Sequence, residues 1–305
     1  MILCCGEALI DMLPRQTAAG EAVFAPHAGG AVFNTAIALG RLGCRVGFFS
    51  GLSEDLFGEM LVECLAASGV DTAPAHRASR PTTLAFVRLA DGHATYAFYD
   101  ENTAGRMLSV GDLPVLTDEK ALFFGGISLV ADPCGGAYET LALREAPRRL
   151  IMIDPNIRPS FIANEAAYRA RIDRMLASAD IVKLSDDDLH WLAGAGDTAV
   201  LAQGVLARGP SLVCITEGAK GATGYTADDA VFVPSQRVEV IDTVGAGDTF
   251  NAGVLAALDD AGALDKAAVR AMPGDLVRAA LTLGVRAAAI TVSRAGANPP
   301  RRNDL

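Results

Sequence analysis

Short apolar runs alternate along this chain with longer stretches whose apolar residues recur every three to four positions. The short runs at 2–5, 45–50, 121–125, 150–153, 181–183, 212–216 and 231–233 predict strands, several apolar at nearly every position, as strands covered on both faces are. The periodic stretches at 31–42, 56–68, 166–177, 189–193, 199–207, 249–258 and 273–285 predict helices with one buried face, and an apolar run at 287–292 follows the last. Strand and helix taken in turn predict an α/β fold: a doubly wound, mainly parallel sheet flanked by helices.

Two segments break this rhythm. Residues 12–28 contain Pro and Gly with short alternation. Residues 80–102 alternate apolar with polar around a turn at Asp91-Gly92, which predicts a hairpin of strands 82–89 and 93–99. Both interrupt the α/β order near its start, so together they predict a small antiparallel β-sheet projecting as a lid beside a ligand crevice. An edge extension of the main sheet or a contact between subunits would use the same pattern, since a hairpin needs cover for its apolar face.

Composition narrows the function classes. With 305 residues, 51% of them hydrophobic, the chain can bury a sizeable core. Its 36 acidic against 26 basic side chains give a net charge of −10, which disfavours nucleic acid or an anionic membrane as the main partner. Any anion site must therefore be built locally. Cys4, Cys5, Cys44, Cys64, Cys134 and Cys214 form no C-x-x-C pair, and four scattered histidines make no zinc pattern. No segment approaches the length of apolar chain that spans a membrane, and the first residues lack the basic region of a signal peptide. The expectation is a cytoplasmic protein with free thiols.

The chemistry concentrates in Val240-Ile241-Asp242-Thr243-Val244-Gly245-Ala246-Gly247-Asp248-Thr249-Phe250. The apolar run Val238, Val240, Ile241 reads as a strand, the glycines as a turn, and Phe250, Val254, Leu255 and Leu258 as a helix face. Backbone N–H groups converging at that helix start make an anion site. Asp248 beside them would repel a phosphate unless a base is needed there; Asp at a helix start is also an ordinary N-cap.

Other segments end predicted strands with polar side chains, and open α/β sheets bind ligands at such ends. Gly29-Gly30 opens a helix and allows a ligand close to the backbone, with Asn34 offering both donor and acceptor, while Asp11 follows the first strand and can accept two hydroxyls. In Asp154-Pro155-Asn156-Ile157-Arg158 the arginine can reach a phosphate, or be a surface residue after a turn. Lys183-Leu184-Ser185-Asp186-Asp187-Asp188 puts acids at a helix start, where they favour the dipole and suit water-held Mg²⁺. In residues 216–224 three glycines at spacing three permit close contact with a nucleotide and Lys220 adds a charge, although a β-turn explains them almost as well. Neither a P-loop nor a dinucleotide-binding glycine fingerprint is present.

In this order, the segments resemble the ribokinase-like (PfkB) carbohydrate kinases across essentially the whole chain. The two specific motifs are Gly29-Gly30-Ala31-Val32-Phe33-Asn34 and Asp242-Thr243-Val244-Gly245-Ala246-Gly247-Asp248-Thr249-Phe250. The resemblance implies a ribokinase-like fold with a small β-sheet lid: main α/β domain at 1–11, 29–79 and 103–305, the last with the nucleotide site, and lid at 12–28 and 80–102. It implies Asp248 as base, the amides of Gly245, Ala246 and Gly247 with Arg158 as charge stabilisers, and Asp11, Gly29, Gly30, Asn34 and Arg158 around a small sugar. Lys183, Ser185, Thr216, Gly218, Lys220 and Gly221, with Gly245 and Gly247, look like the ATP side. Asp242 and the Val244 carbonyl resemble part of a K⁺ site completed near residues 289–296, and Ser185 and Asp188 stand where the family holds Mg²⁺ through water. The family's usual Asn and Glu are here Ser185 and Asp188.

Within the family the segments look most like the fructokinases, with 2-keto-3-deoxygluconate kinases next. Where both groups tend to carry an arginine after the lid's aromatic pair, this chain reads Phe98-Tyr99-Asp100-Glu101-Asn102, an acidic pair that favours a neutral ketose over a sugar acid. The expected reaction is ATP-dependent phosphorylation of a sugar hydroxyl, and a homodimer through the lid is implied, because such sheets often pair between subunits. A nicotinamide oxidoreductase would share the core but lacks its glycine fingerprint here, and a non-catalytic sugar-binding protein would keep the sugar contacts and lose the base.

Overall fold

The computed structural model describes the backbone of all residues except 91 and 92, and the side chains of all but 88–96. Nine strands form one sheet in the order Ala230–Pro234, Gly221–Tyr225, Leu212–Thr216, Ile181–Ser185, Leu150–Asp154, Ala121–Gly125, Ile2–Cys5, Val46–Phe49, Val70–Asp71. Every pairing is parallel except the two at the Ala230–Pro234 edge, where Gly221–Tyr225 runs back along Leu212–Thr216 and is paired by Ala230–Pro234. The central strands are buried nearly along their length, and Asp154 and Ser185 stand at the carboxyl ends of two of them.

Helices cover both faces. Ala31–Arg41, Ala246–Asp260 and Gly274–Val292 pack on one, around Leu39, Phe48, Leu255 and Leu281. Cys134–Glu145, Glu165–Ser178, Asp186–Ala193 and Thr198–Leu206 pack on the other, around Phe124, Tyr138, Ile153 and Met175. Each fully buried large apolar side chain contributes roughly 1.5–3 kcal/mol, so two cores of this extent fix the strand ends that carry the polar groups.

The two arrhythmic segments meet in a separate four-stranded sheet, ordered Ala22–Gly29, Leu9–Gln16, Leu84–Ala90, His93–Tyr99. It is not an extension of the main sheet. Nor is it wholly antiparallel: the two hairpins lie side by side, so Leu9–Gln16 and Leu84–Ala90 run parallel. The expected turn at Asp91-Gly92 lies outside the described residues. One face of this sheet carries the aromatic row Phe24, Phe86 and Tyr99, with ring centroids 5.0 and 5.5 Å apart. Phe98, on the other face, packs against Phe161 of the main domain at 4.6 Å.

Several expected elements differ. The chain at 238–241 is no strand; Val240 and Ile241 are 60% and 61% exposed, and the Ile241 and Asp242 amides donate to the Val292 carbonyl. The helix expected at 273–285 and the apolar run at 287–292 are one helix, Gly274–Val292, because no breaker separates them. Gly221–Tyr225 is a strand where a glycine loop was expected, and Cys134–Glu145 and the short Lys266–Arg270 are further helices. No helix among the described residues is long and apolar enough to cross a membrane.

Candidate active site

The helix Ala246–Asp260 starts at Gly245, whose φ of 78° lies in the left-handed region that favours glycine and which carries no side-chain cap. Asp248 is the third residue of the helix, and it does not cap it. Its Oδ2 instead accepts a hydrogen bond from Asn34 Nδ2 at 2.9 Å, across to the helix Ala31–Arg41. The Ala246 amide donates to the Thr243 carbonyl at 3.4 Å, and Ala246 and Gly247 both line a cleft at the helix start. Asp248 is 8% exposed, and burial pushes its carboxyl up to about 7; the Asn34 hydrogen bond and Lys183 pull the other way, and Asp154 and Glu7 add to the rise. A carboxylate raised toward neutral pH beside a helix start has the chemistry to serve as a general base next to an anion site.

On the Asn34 side, Gly30 has φ 115°, and a Cβ there would come within 2.8 Å of the Glu7 carbonyl oxygen. A Cβ on Gly29 would meet Asp11 Oδ2 at 2.4 Å, so the glycine pair seats Asp11 against bare backbone. Asp11 lies on Leu9–Gln16, in the small sheet, and burial pushes its carboxyl up to about 6. Asp11, Asn34 and Asp248 are therefore linked through the start of one helix, with the small sheet above. Asp100, at the end of His93–Tyr99, accepts from Arg106 Nη1 at 2.7 Å, so its charge is balanced.

A cleft of about 620 Å³ opens on the other side of the Gly245–Gly247 turn. Thr216, Gly218 and Gly221 form one wall, Val238, Val240, Ala289 and Val292 an apolar one, and Thr243, Ala246 and Gly247 its floor. Val238 and Val240, from the apolar run that failed as a strand, line this cleft, which accounts for their exposure. Lys220 is not part of this cleft: its side chain is 74% exposed and pairs with Glu217 at 3.2 Å. It points away because Gly221 turns the chain straight into the edge hairpin.

Three further groups of expected site residues lie as follows. Lys183 does not line the cleft. It is 4% exposed, beneath the turn, with Nζ 3.0 Å from Asp154 Oδ2. Ser185 and Asp188 form a capping box: Ser185 Oγ accepts from the Asp188 amide, and Asp188 Oδ2 accepts from the Ser185 amide and hydroxyl at 3.1 and 2.7 Å. Asp188 Oδ1 accepts from the Ile157 amide at 2.8 Å, so this buried carboxylate also ties down the chain after Asp154. Arg158 is exposed; its Nη1 donates to the Ile157 carbonyl, and no carboxylate pairs with it among the described residues.

Asp242 ties the turn to the chain after Gly274–Val292. Its Oδ1 accepts from the Val244 amide at 3.0 Å and its Oδ2 from the Gly296 amide at 2.9 Å. No basic side chain pairs with it among the described residues.

Sequence reasoning missed two positioning residues. Glu7 accepts from the amides of Ala31 and Ser128 at 2.9 and 3.2 Å, anchoring the start of the Asn34 helix. Its signal was a carboxylate directly after a fully apolar strand. Asn251 Nδ2 donates to Asp154 Oδ2 at 2.7 Å; an amide three residues after Asp248, in an otherwise apolar helix, was the clue.

Comparison with known proteins agrees with this geometry. The model of the pfkB family carbohydrate kinases matches residues 1–304. The fructokinase of Rhizobium leguminosarum bv. trifolii is 57% identical over 279 residues, covering 91% of this chain and 86% of that protein. The fructokinase of Xylella fastidiosa with bound ATP superposes with a TM-score of 0.89 at 32% identity, over 97% of this chain and 93% of that one. The fructokinase of Vibrio cholerae O395 in its fructose, ADP and calcium ion bound form gives 0.85 at 26% identity, over 97% and 94%.

Proposed function

Because the chain belongs to the pfkB family of carbohydrate kinases, we propose that it is a fructokinase, moving the γ-phosphoryl group of ATP to a hydroxyl of fructose with Asp248 as the base. The observation that carries this reading is the Asp248 carboxylate: buried, held by Asn34, raised to about 7, and set in the first turn of a helix whose N-cap has no side chain.

ATP occupies the cleft beside Thr216, Gly218 and Gly221, its base against the wall of Val240, Ala289 and Val292. Its phosphates lie at the Gly245, Ala246 and Gly247 amides, and the exposed guanidinium of Arg158 has donors left for the transferred group. Fructose sits between Asp11, Gly29, Gly30 and Asn34, under the small sheet, which acts as the lid; the aromatic pair Phe98 and Phe161 joins the two parts. Asp11 accepts sugar hydroxyls. Asp248 takes the proton from the attacking hydroxyl as it closes on the phosphorus. In-line transfer needs little covalent help, so positioning and charge stabilisation dominate.

Mg²⁺ belongs to this reading as the companion of the nucleotide, since it favours phosphate oxygens and water. Ser185 and Asp188 do not fit as its direct ligands, both being engaged in the capping box. Among the described residues no three His, Cys, Asp or Glu side chains gather to hold a metal. K⁺ is part of the reading through Asp242, a carboxylate with no basic partner among the described residues that joins the turn at Val244 to the chain at Gly296. A cytoplasmic location suits an ATP-dependent enzyme whose six cysteines are thiols. A homodimer through the exposed Phe24 and Tyr99 face is part of the reading, and sedimentation tests it.

Release of ADP measured against fructose, 2-keto-3-deoxygluconate, ribose and a nucleoside tests the assignment. Fructose is expected to give the highest kcat/KM; a higher value for the sugar acid would overturn the sugar, and no ADP release with any would overturn the kinase.

A further inference from the structure

Behind the Gly245 turn lies Ala297: a Cβ built on Gly245 would come within 2.8 Å of its methyl. Ala297 belongs to residues 293–305, which follow the helix Gly274–Val292 and meet the ends of two others, at Arg41 and at Asp260. The Gly296 amide holds Asp242 Oδ2 at 2.9 Å, and the Asn298 amide donates to the Gly296 carbonyl at 2.8 Å. The next fixed point is Arg41, whose Nη1 donates to Asn298 Oδ1 at 2.7 Å and to the Pro299 carbonyl at 2.8 Å. Asn34 and Arg41 are seven residues apart and so share a face of the helix Ala31–Arg41. One helix therefore holds the Asp248 carboxylate near its start and, at its last residue, the segment behind the glycine turn. The cation is an expensive one: Arg41 is half-buried, its Nε has no partner among the described residues, and burial with the nearby Arg301 and Arg294 works against its charge. Fastening alone would be met by a neutral donor at less cost.

We propose that Arg41 is a positioning residue for the nucleotide half of the site: it clamps Asn298 and Pro299 so that Ala297 backs the Gly245 turn and Gly296 stays on Asp242. This rests on the kinase reading above. Gly245 has no side chain to stiffen the turn, and the Ala297 methyl supplies that packing from outside. Thr243, Ala246 and Gly247, on either side of Gly245, floor the cleft given to ATP. A turn that loses its backing therefore misplaces the nucleotide phosphates and leaves the sugar contacts at Asp11, Gly29 and Gly30 as they are.

The test is steady-state kinetics with fructose and MgATP varied in turn, and thermal unfolding, for wild type, Arg41→Met, Arg41→Lys, Ala297→Gly and the double variant Arg41→Met with Ala297→Gly. Assays are run at a temperature where circular dichroism shows each to be folded. Arg41→Met and Ala297→Gly are each expected to raise KM for ATP about five- to tenfold with KM for fructose within about twofold of wild type, because small misplacements set by remote residues weigh heavily on a positioned reaction. Arg41→Lys is expected to recover part of the loss. Both substitutions act through one contact, so the double variant should exceed the larger single effect by no more than about twofold. Should Arg41→Met not fold, Asn298→Ala, which removes one of the guanidinium's two acceptors, takes its place in the comparison. An unchanged KM for ATP in folded Arg41→Met, with only a lower melting temperature, overturns the proposal and leaves Arg41 a fastening. So do multiplicative effects in the double variant, or equal rises in both KM values. Absence of kinase activity in the wild type would instead remove the reading beneath it.

Discussion

Asn34 and Asp248, 214 positions apart in the chain, meet through a 2.9 Å hydrogen bond in which the amide donates to the carboxylate. That contact separates a base from a cap. A capping aspartate turns its oxygens back to its own helix, whereas this one faces another helix and is held in its charged form by a neutral donor. Asn34→Ala is expected to lower kcat/KM for the sugar about 10- to 100-fold, the worth of a hydrogen bond to a charged group, and to leave KM for ATP nearly unchanged. Steady-state kinetics with each substrate varied checks this.

Activity should follow the protonation of Asp248. Its carboxyl titrates at about 7, so kcat/KM is expected to rise with an acid limb centred near that value. A limb centred where an ordinary aspartate titrates would remove Asp248 from the role. Below it, protonation of Asp11, which titrates at about 6, should add a further rise in KM for the sugar.

The sugar side has its own variant. Gly29→Ala places a methyl 2.4 Å from Asp11 Oδ2, forcing that carboxylate to turn. KM for fructose should rise while KM for ATP holds, and equal effects on both would argue against Asp11 as a sugar contact.

The nucleotide wall is tested by Val240→Asp. Val240 is largely exposed, so the melting temperature should stay near that of wild type, while KM for ATP rises about tenfold through loss of apolar contact. Thermal unfolding and ATP titration read the two effects separately.

Much of the architecture was legible because buried parallel strands are continuous apolar runs that end abruptly in polar residues, as Leu150–Asp154 does. The penultimate strand Gly221–Tyr225 was not. Its residues are small because Val277 and Leu281 pack hard against Gly224, and small residues carry little strand signal. Val238 and Val240 misled in the opposite direction: apolar residues that face an open cleft look in sequence like residues that face a core. In the site, Asp248, Asn34 and the glycines stood out through their motifs. The burial of Lys183 did not, because its place under Gly247 depends on how neighbouring strand ends align, which spacing along the chain does not record.

Asp248→Asn carries the central claim. The folded carboxyl titrates at about 7 against 3.8 for a free one, so the folded chain holds this proton more tightly, and Asp248 costs stability increasingly as pH rises from about 4 through 7. The asparagine variant is thus expected to be at least as stable as wild type at about pH 8, with KM values little changed and kcat lower by about 10² to 10⁴. Measuring kcat and thermal stability together at that pH decides the matter. Near-wild-type turnover with lost stability would make Asp248 a structural residue and contradict the account.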